Sequence, residues 1–370
     1  MDARFNAYKV KYDNMDLMTR PIFISQKIDR ANIFISLDDI YSRLKNSQVN
    51  REFQCCGNLA TKQMISNILN LAAHYREWAV RKKINVKMIV YYSTSSIFES
   101  KSIYKGYRDY YNERNDINNP DCFFINNCIR EAVSILTTIF QYIDSAYIIN
   151  TGKVEPAIFP YICANEFPEF RADWNFIVTK DEVELQYASF EKFSIIYPKG
   201  EDSKILSSIS KVWELIAERE KIHESLCKKY PDVYILALSL MGNKKRSIKK
   251  IKGISWRTIF DRFDKTISCG DYHPSLVGSD FLKWLKDKNY DSDQISKNYD
   301  VLSVKFMSTF TNDISKELIK TQFIDTPDYA SLIDLNRQPN MFERCPINIR
   351  FLTRQFDINE IDPFKLGYIK

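Results

Sequence analysis

Apolar positions along the chain follow two alternating patterns over residues 31–200 and a single pattern afterwards. Ile33-Phe34-Ile35-Ser36-Leu37 is a short apolar run of the kind that fills a buried strand. Val86–Tyr92, Ala146–Asn150, Trp174–Thr179 and Phe193–Tyr197 repeat it, each rich in β-branched or aromatic residues. Between these runs the spacing turns helical. From Asn58 to Lys83, apolar residues recur at Met64, Ile65, Ile68, Leu69, Leu71, Ala72 and Tyr75, and Arg81-Lys82-Lys83 supplies cations at the helix's negative end. The same spacing predicts helices over Phe124–Tyr142 and over Glu155–Ala164, where Pro156 suits a first turn. Asp39 is placed to cap a helix running through Lys45. Strands alternating with helices predict a parallel α/β sheet covered on both faces. Chemistry in such sheets gathers at the carboxyl ends of the strands, here Ser36–Asp39, Ser93, Asn150–Thr151 and Thr179–Asp181.

From residue 204 onward the pattern is helical, over Ile205–Cys227, Tyr234–Met241, Trp256–Thr266, Ser279–Lys288 and Val301–Phe310. The chain therefore divides into an N-terminal extension (1–30), an α/β domain (31–200), a helical region (201–325) and a Pro-punctuated irregular wrap (326–370).

Composition narrows the classes. Over 370 residues, 45% hydrophobic and 14% aromatic content supports a large core, and 22 Tyr and 24 Phe against 9 Gly exclude a disordered or collagen-like chain. The longest apolar run, Tyr234–Met241, falls far short of the roughly 18 residues of a membrane span, and Met1 to Asp16 carries charges where a signal peptide is apolar. No membrane association and a cytoplasmic or intracellular location, in a host cell or virion if the source is viral, are the expectations. Eight Cys without a CxxC pair and only 3 His argue against a zinc knuckle or a disulfide framework, so Cys55-Cys56, His74 and His223 read as structural. No GxxxxGK[ST], GxGxxG or GxSxG motif occurs.

The formal charge of +6 is concentrated. Lys244, Lys245, Arg246, Lys249, Lys250 and Lys252 lie in one segment with no carboxylate, which leaves the rest of the chain neutral. Ile248 and Ile251 interrupt the run, and Gly253 follows it. A second basic stretch, with Lys101, Lys105, Arg108 and Arg114 interleaved with Tyr104, Tyr107, Tyr110 and Tyr111, suits a single strand held by charge and base stacking.

Taken in order, Ile33–Arg43, Tyr104–Arg114, Gly152–Tyr161, Thr179–Tyr187 and Ser239–Phe260 carry a resemblance. Over roughly residues 31–290 the chain resembles the 5′-nuclease family, the phage and bacterial 5′–3′ exonucleases and flap endonucleases built on a PIN-like α/β domain. Thr179–Tyr187 (TKDEVELQY) is similar to the family's S-x-D-x-D-x-x-Q-L motif, and Ser239–Phe260 to its helix–three-turn–helix segment, placed at about 236–266. Tyr104–Arg114 looks like the start of the family's helical arch, placed at about 93–130. The resemblance implies divalent ions, Mg2+ or Mn2+, held by clustered carboxylates for phosphodiester hydrolysis.

The departures alter that expectation. The family's Asp positions fall on Ser36, on Tyr91-Tyr92-Ser93, on Ala157 and Ile158, on Val183, and on Asn243 and Arg246. Only Glu155 and Asp181 remain, and Arg246 brings a permanent cation that can pair with Asp181 or Glu155. The second Gly of the family's GIG triplet is Ser255. The expected protein is thus a pseudonuclease without a cofactor, binding DNA, duplex or flap-like, or RNA. Its contacts would be Lys244, Lys245, Arg246, Lys249, Lys250, Lys252, Gly253, Lys105, Arg108 and Arg114. Lys, Asn, Ile and Tyr usage fits an AT-rich viral or phage genome. Two alternatives stand beside this: a metal-dependent 5′-nuclease using Glu155 and Asp181 with Asp38, Asp39 or Glu182, and a structural or assembly protein that keeps the fold as a scaffold for protein partners in a viral complex.

Overall fold

The structure is a computed structural model describing residues 28–37, 82–93, 98–107, 145–199, 202–222, 233–267 and 274–323. It also describes helical positions at 65, 68, 69, 71, 75, 79, 132–134, 136, 137 and 140. The Asp38-Asp39 pair, His74, His223, most of the arch-like stretch and the C-terminal wrap lie outside the described residues.

One sheet organises the chain. Its strands are β1 (Arg30–Ser36), β2 (Asn85–Tyr92), β3 (Ala146–Asn150), β4 (Trp174–Val178), β5 (Phe193–Lys199) and β6 (Asp202–Leu206), in the order β3-β2-β1-β4-β5-β6. Strands β1 to β5 run parallel, as the alternating pattern predicts, and β6 returns antiparallel on β5. Side chains of successive residues point to opposite faces, and both faces are dry. Ile33, Ile35, Met88, Val90, Phe176 and Val178 share one core with the helical positions Ile65, Ile68, Tyr75 and Leu136. Phe34, Ile89, Tyr91, Ile149, Ile177 and Ile195 share the other with the helices of the second half. Asn32, buried in the sheet, donates to Phe170 O at 2.6 Å and to Asn175 Oδ1 at 2.9 Å, which satisfies the amide where an apolar residue would be expected.

Between β3 and β4 the chain forms a 3-10 turn (Pro156–Ile158) and then α1 (Phe159–Glu166). Residues 205–208 depart from the sequence reading, which began a helix at Ile205. Ile205 and Leu206 instead pair with Ile196 and Ile195 and bury both side chains on the sheet. The helix, α2 (Ile209–Glu220), starts only after that pairing ends and stops at Lys221, whose φ of 54° breaks the helical path.

The helical half follows as α3 (Tyr234–Met241), α4 (Trp256–Ile267), α5 (Pro274–Asp287), α6 (Ser292–Leu302), α7 (Val304–Phe310) and α8 (Asp313–Lys320). Trp213 of α2 is fully buried against Tyr234, Phe260 and Phe263, with ring centroids 5.8, 5.6 and 5.3 Å away, and ties α2 to α3 and α4. Truncating such a side chain to Ala costs about 3–5 kcal/mol. The continuous helix expected over Val301–Phe310 is broken at Ser303, which has extended backbone and accepts from Phe306 N at 3.3 Å. The buried Gln186 compensates for the break: its Nε2 donates to Leu302 O at 2.9 Å and its Oε1 accepts from Val304 N at 2.9 Å. At the β3 edge, the Gln322 amide accepts from Asn150 N and donates to Asn150 O, both at 2.8 Å.

Candidate nucleic-acid interface

The basic segment joins α3 to α4, and its backbone is over-determined. Gly242 has φ +66°, and a Cβ there would lie 2.6 Å from both Ile248 O and Lys250 N, so only glycine fits without displacing backbone. Asn243 caps the 3-10 turn Lys244–Arg246 by accepting from Arg246 N at 3.0 Å, and exchanges backbone bonds with Ile248 at 3.0 and 2.9 Å. Asn298 of α6 donates to Ser239 O at 2.7 Å and to Lys249 O at 3.0 Å, which holds the loop from beneath. Ile248, Ile251 and Ile254 are buried and act as anchors, whereas Gly253 turns at φ +85° in open space. The interruptions in the basic run are thus the inward positions, and they sort its cations into two sets.

Arg246 belongs to the inward set. It is 1% exposed, which removes it from the phosphate-contacting surface on which the sequence reading placed it. Its side chain enters the carboxyl edge of the sheet, where Nη1 donates to Asp181 Oδ1 at 2.8 Å and Oδ2 at 3.0 Å, and Nη2 donates to Glu155 Oε1 at 3.3 Å. Both candidate acids, Glu155 and Asp181, are therefore paired with Arg246. Lys245, partly exposed, adds a bond from Nζ to Asp181 Oδ2 at 2.9 Å. Asp181 also caps its own turn, accepting from Val183 N at 2.9 Å while its N–H donates to Thr179 Oγ1 at 2.9 Å. Burial alone would push the Asp181 carboxyl up, but the charges and hydrogen bonds of Arg246 and Lys245 outweigh it and hold the group well below the usual carboxylate range.

A third acid sits in the same place and was not singled out from the sequence. Glu184 is 2% exposed, and its Oε1 accepts from the Tyr91 hydroxyl at 2.8 Å. Burial, and then the negative charge of Asp181, push its carboxyl up to about 7, against the opposing hydrogen bonds of Thr179 and Tyr91 and the charge of Lys245. The available signal was its spacing of three residues from Asp181, whose carbonyl accepts from Glu184 N at 3.0 Å.

The donor set does not fit a divalent ion. Both oxygens of Asp181 and one of Glu155, which such an ion would need at about 2.0–2.6 Å, already face a guanidinium or an ammonium. Ala157, Ile158 and Val183, where the sequence resemblance would look for further acids, are buried in the apolar core. Among the described residues, no group of three or more His, Cys, Asp or Glu is placed to hold a metal ion.

The outward set comprises Lys244, Lys249, Lys250 and Lys252, all exposed and, among the described residues, without a carboxylate partner. The second basic stretch meets this loop through Tyr104, whose hydroxyl accepts from Lys249 N at 3.4 Å. Exposed Lys105 is its neighbour, and Tyr107 is fully buried. That burial makes Tyr107 a packing residue and takes it out of any stacking surface. Arg108 and Arg114 lie outside the described residues.

Among the described residues no helix is long and apolar enough to cross a membrane. No family model matches the chain, and no curated protein matches it. Among solved structures it is similar to the flap endonuclease of bacteriophage T5 in a pseudo-enzyme–product complex with DNA and metal ions, at 11% identity and a TM-score of 0.48, over 79% of this chain and 98% of that one. The T5 5′-exonuclease with bound zinc is similar at 12% identity and a TM-score of 0.46, with the same coverage.

Proposed function

We propose that this protein binds nucleic acid without hydrolysing it, on a 5′-nuclease-like fold whose catalytic carboxylates have been turned to structural use. The observation that carries this reading is the division of one basic loop. Arg246 and Lys245 neutralise the old acid site, while Lys244, Lys249, Lys250 and Lys252 face solvent on the same backbone. Exposed lysines on one loop suit phosphates, whose recognition is electrostatic and largely indifferent to sequence. Lys105, brought to the loop by Tyr104, extends the surface towards the second basic stretch. Duplex DNA is the ligand expected first, with RNA as a competitor in the same assay, and a viral or phage setting belongs to this reading. Neither Mg2+ nor Mn2+ is required.

Salt titration of binding tests it. Each lysine that neutralises a phosphate contributes a slope of about 0.9 in log affinity against log salt, so Lys244→Gln, Lys249→Gln and Lys250→Gln together lower the slope by roughly 2 to 3. Wild-type protein without salt-dependent affinity for DNA or RNA overturns the reading. A scaffold for protein partners is then favoured by one further observation. Phe306 and Phe310 of α7 stack with centroids 6.4 Å apart at 39% and 42% exposure, and Ile314 and Leu318 of α8 are exposed as well.

A further inference from the structure

We infer that Arg246 is a resident cation standing in place of a divalent metal, and that it fastens the lysine-bearing loop to the sheet with no metal present. Three segments distant in the chain converge on it: Glu155 after β3, Asp181 after β4, and the loop between α3 and α4. A metal ion in such a cluster gathers carboxylates that would otherwise repel one another, and the guanidinium does the same with directed hydrogen bonds. Two cations, Arg246 and Lys245, face the two carboxylates Asp181 and Glu155. The pairing is nearly dry: the Arg246 and Glu155 side chains are 1% and 2% exposed. The guanidinium is also fixed from behind, because the backbone N–H of Arg246 is held by Asn243 and the turn begins at Gly242, where only glycine fits. Its position and that of Lys244, Lys249 and Lys250 are therefore set together. Arg246 acts as a positioning residue for the exposed lysines, a last step that alone rests on the nucleic-acid reading.

The test uses the full chain and reads metal binding, thermal midpoint and DNA affinity separately. Wild-type protein is expected to take up no Mn2+, followed by the spin-resonance signal of the free ion at about 1 mM, and to unfold at the same temperature with chelator or with Mn2+. Arg246→Ala leaves the acids facing each other with Lys245 alone. Its midpoint in chelator should fall by about 4 °C or more, and Mn2+ should raise it again by about 3 °C. Arg246→Lys keeps one charge but cannot bridge both acids, so it should fall between the two and stay indifferent to Mn2+; it also serves if the alanine variant does not fold. Duplex affinity should follow the same order, weakest for Arg246→Ala in chelator. Mn2+ binding by the wild type that disappears in Asp181→Asn overturns the inference, as does an Arg246→Ala midpoint that is unchanged, or lowered and not raised by Mn2+. Loss of DNA affinity in every form, with the metal and midpoint results as expected, overturns the nucleic-acid reading and leaves the resident cation standing.

Discussion

The Tyr91 hydroxyl donates to Glu184 Oε1 at 2.8 Å, joining the end of β2 to the turn that follows β4 inside the fully buried edge of the sheet. With Asp181 close by and ionised, Glu184 is the acid that keeps its proton longest.

A pH dependence follows from that proton. The Glu184 carboxyl ordinarily titrates at 4.5 and in the folded chain at about 7, so between these values the folded chain holds a proton that the unfolded chain has released. Stability should fall as pH rises through this window and level off above it, by at most about 3 kcal/mol. Asp181 acts in the opposite sense: its depressed value contributes stability above its ordinary 3.8 that is lost as pH falls below that point. Glu184→Gln keeps an acceptor for Tyr91 and removes the titration. Denaturant unfolding of both proteins from pH 5 to 8 should show the variant gaining on the wild type as pH rises. A difference that does not change with pH would mean that Glu184 ionises normally.

Breaking the buried ion cluster should cost more than removing it entirely. Arg246→Met leaves two buried carboxylates with Lys245 as their one remaining cation among the described residues and should lower stability by about 3–5 kcal/mol. Combining it with Asp181→Leu and Glu155→Met replaces the whole cluster with apolar volume and should recover most of that loss. Urea midpoints of the single and triple variants decide it, and a triple variant no more stable than the single one counts against an uncompensated charge as the cause.

Gly242→Ala tests the backbone of the loop. The added Cβ meets two backbone atoms at 2.6 Å at a φ of +66°, so a loss of about 2 kcal/mol or more is expected, together with weaker DNA binding as the lysines shift. Gly253→Ala provides the comparison, since its φ of +85° is strained but nothing lies within 4 Å of a Cβ there. Similar unfolding midpoints for the two variants would remove the close approach as the reason for Gly242.

No cleavage of flap or 5′-end substrates is expected with Mg2+ or Mn2+, because the guanidinium of Arg246 faces the carboxylates that would bind the ions. Metal-dependent cleavage that vanishes in Asp181→Ala would restore the enzyme reading.

The parallel sheet was legible because apolar runs such as Ala146–Asn150 and Trp174–Val178 are bounded by polar residues and alternate with helical periods. Strand β6 was not, since Ile205 and Leu206 precede a true helical pattern and only their pairing with β5 makes them a strand. The break at Ser303 depended on Gln186, 116 residues from Leu302 in sequence. At the site, a pairing of Arg246 with Asp181 or Glu155 could be read from charge and motif order, but not that it spans both. The inward turn of Lys245 and the burial of Glu184 could not, because each depends on how the α3–α4 loop and the end of β2 close over the sheet.

Gln322 gives the β3 edge a different prospect from that of an ordinary outer strand. An open edge is a template on which another chain's backbone can grow, the route to aggregation and strand exchange. The amide of Gln322 occupies both the donor and the acceptor of Asn150. A side chain thus stands in for the first peptide of any incoming strand, and an intruder must detach the segment that follows α8 before it can begin to pair there.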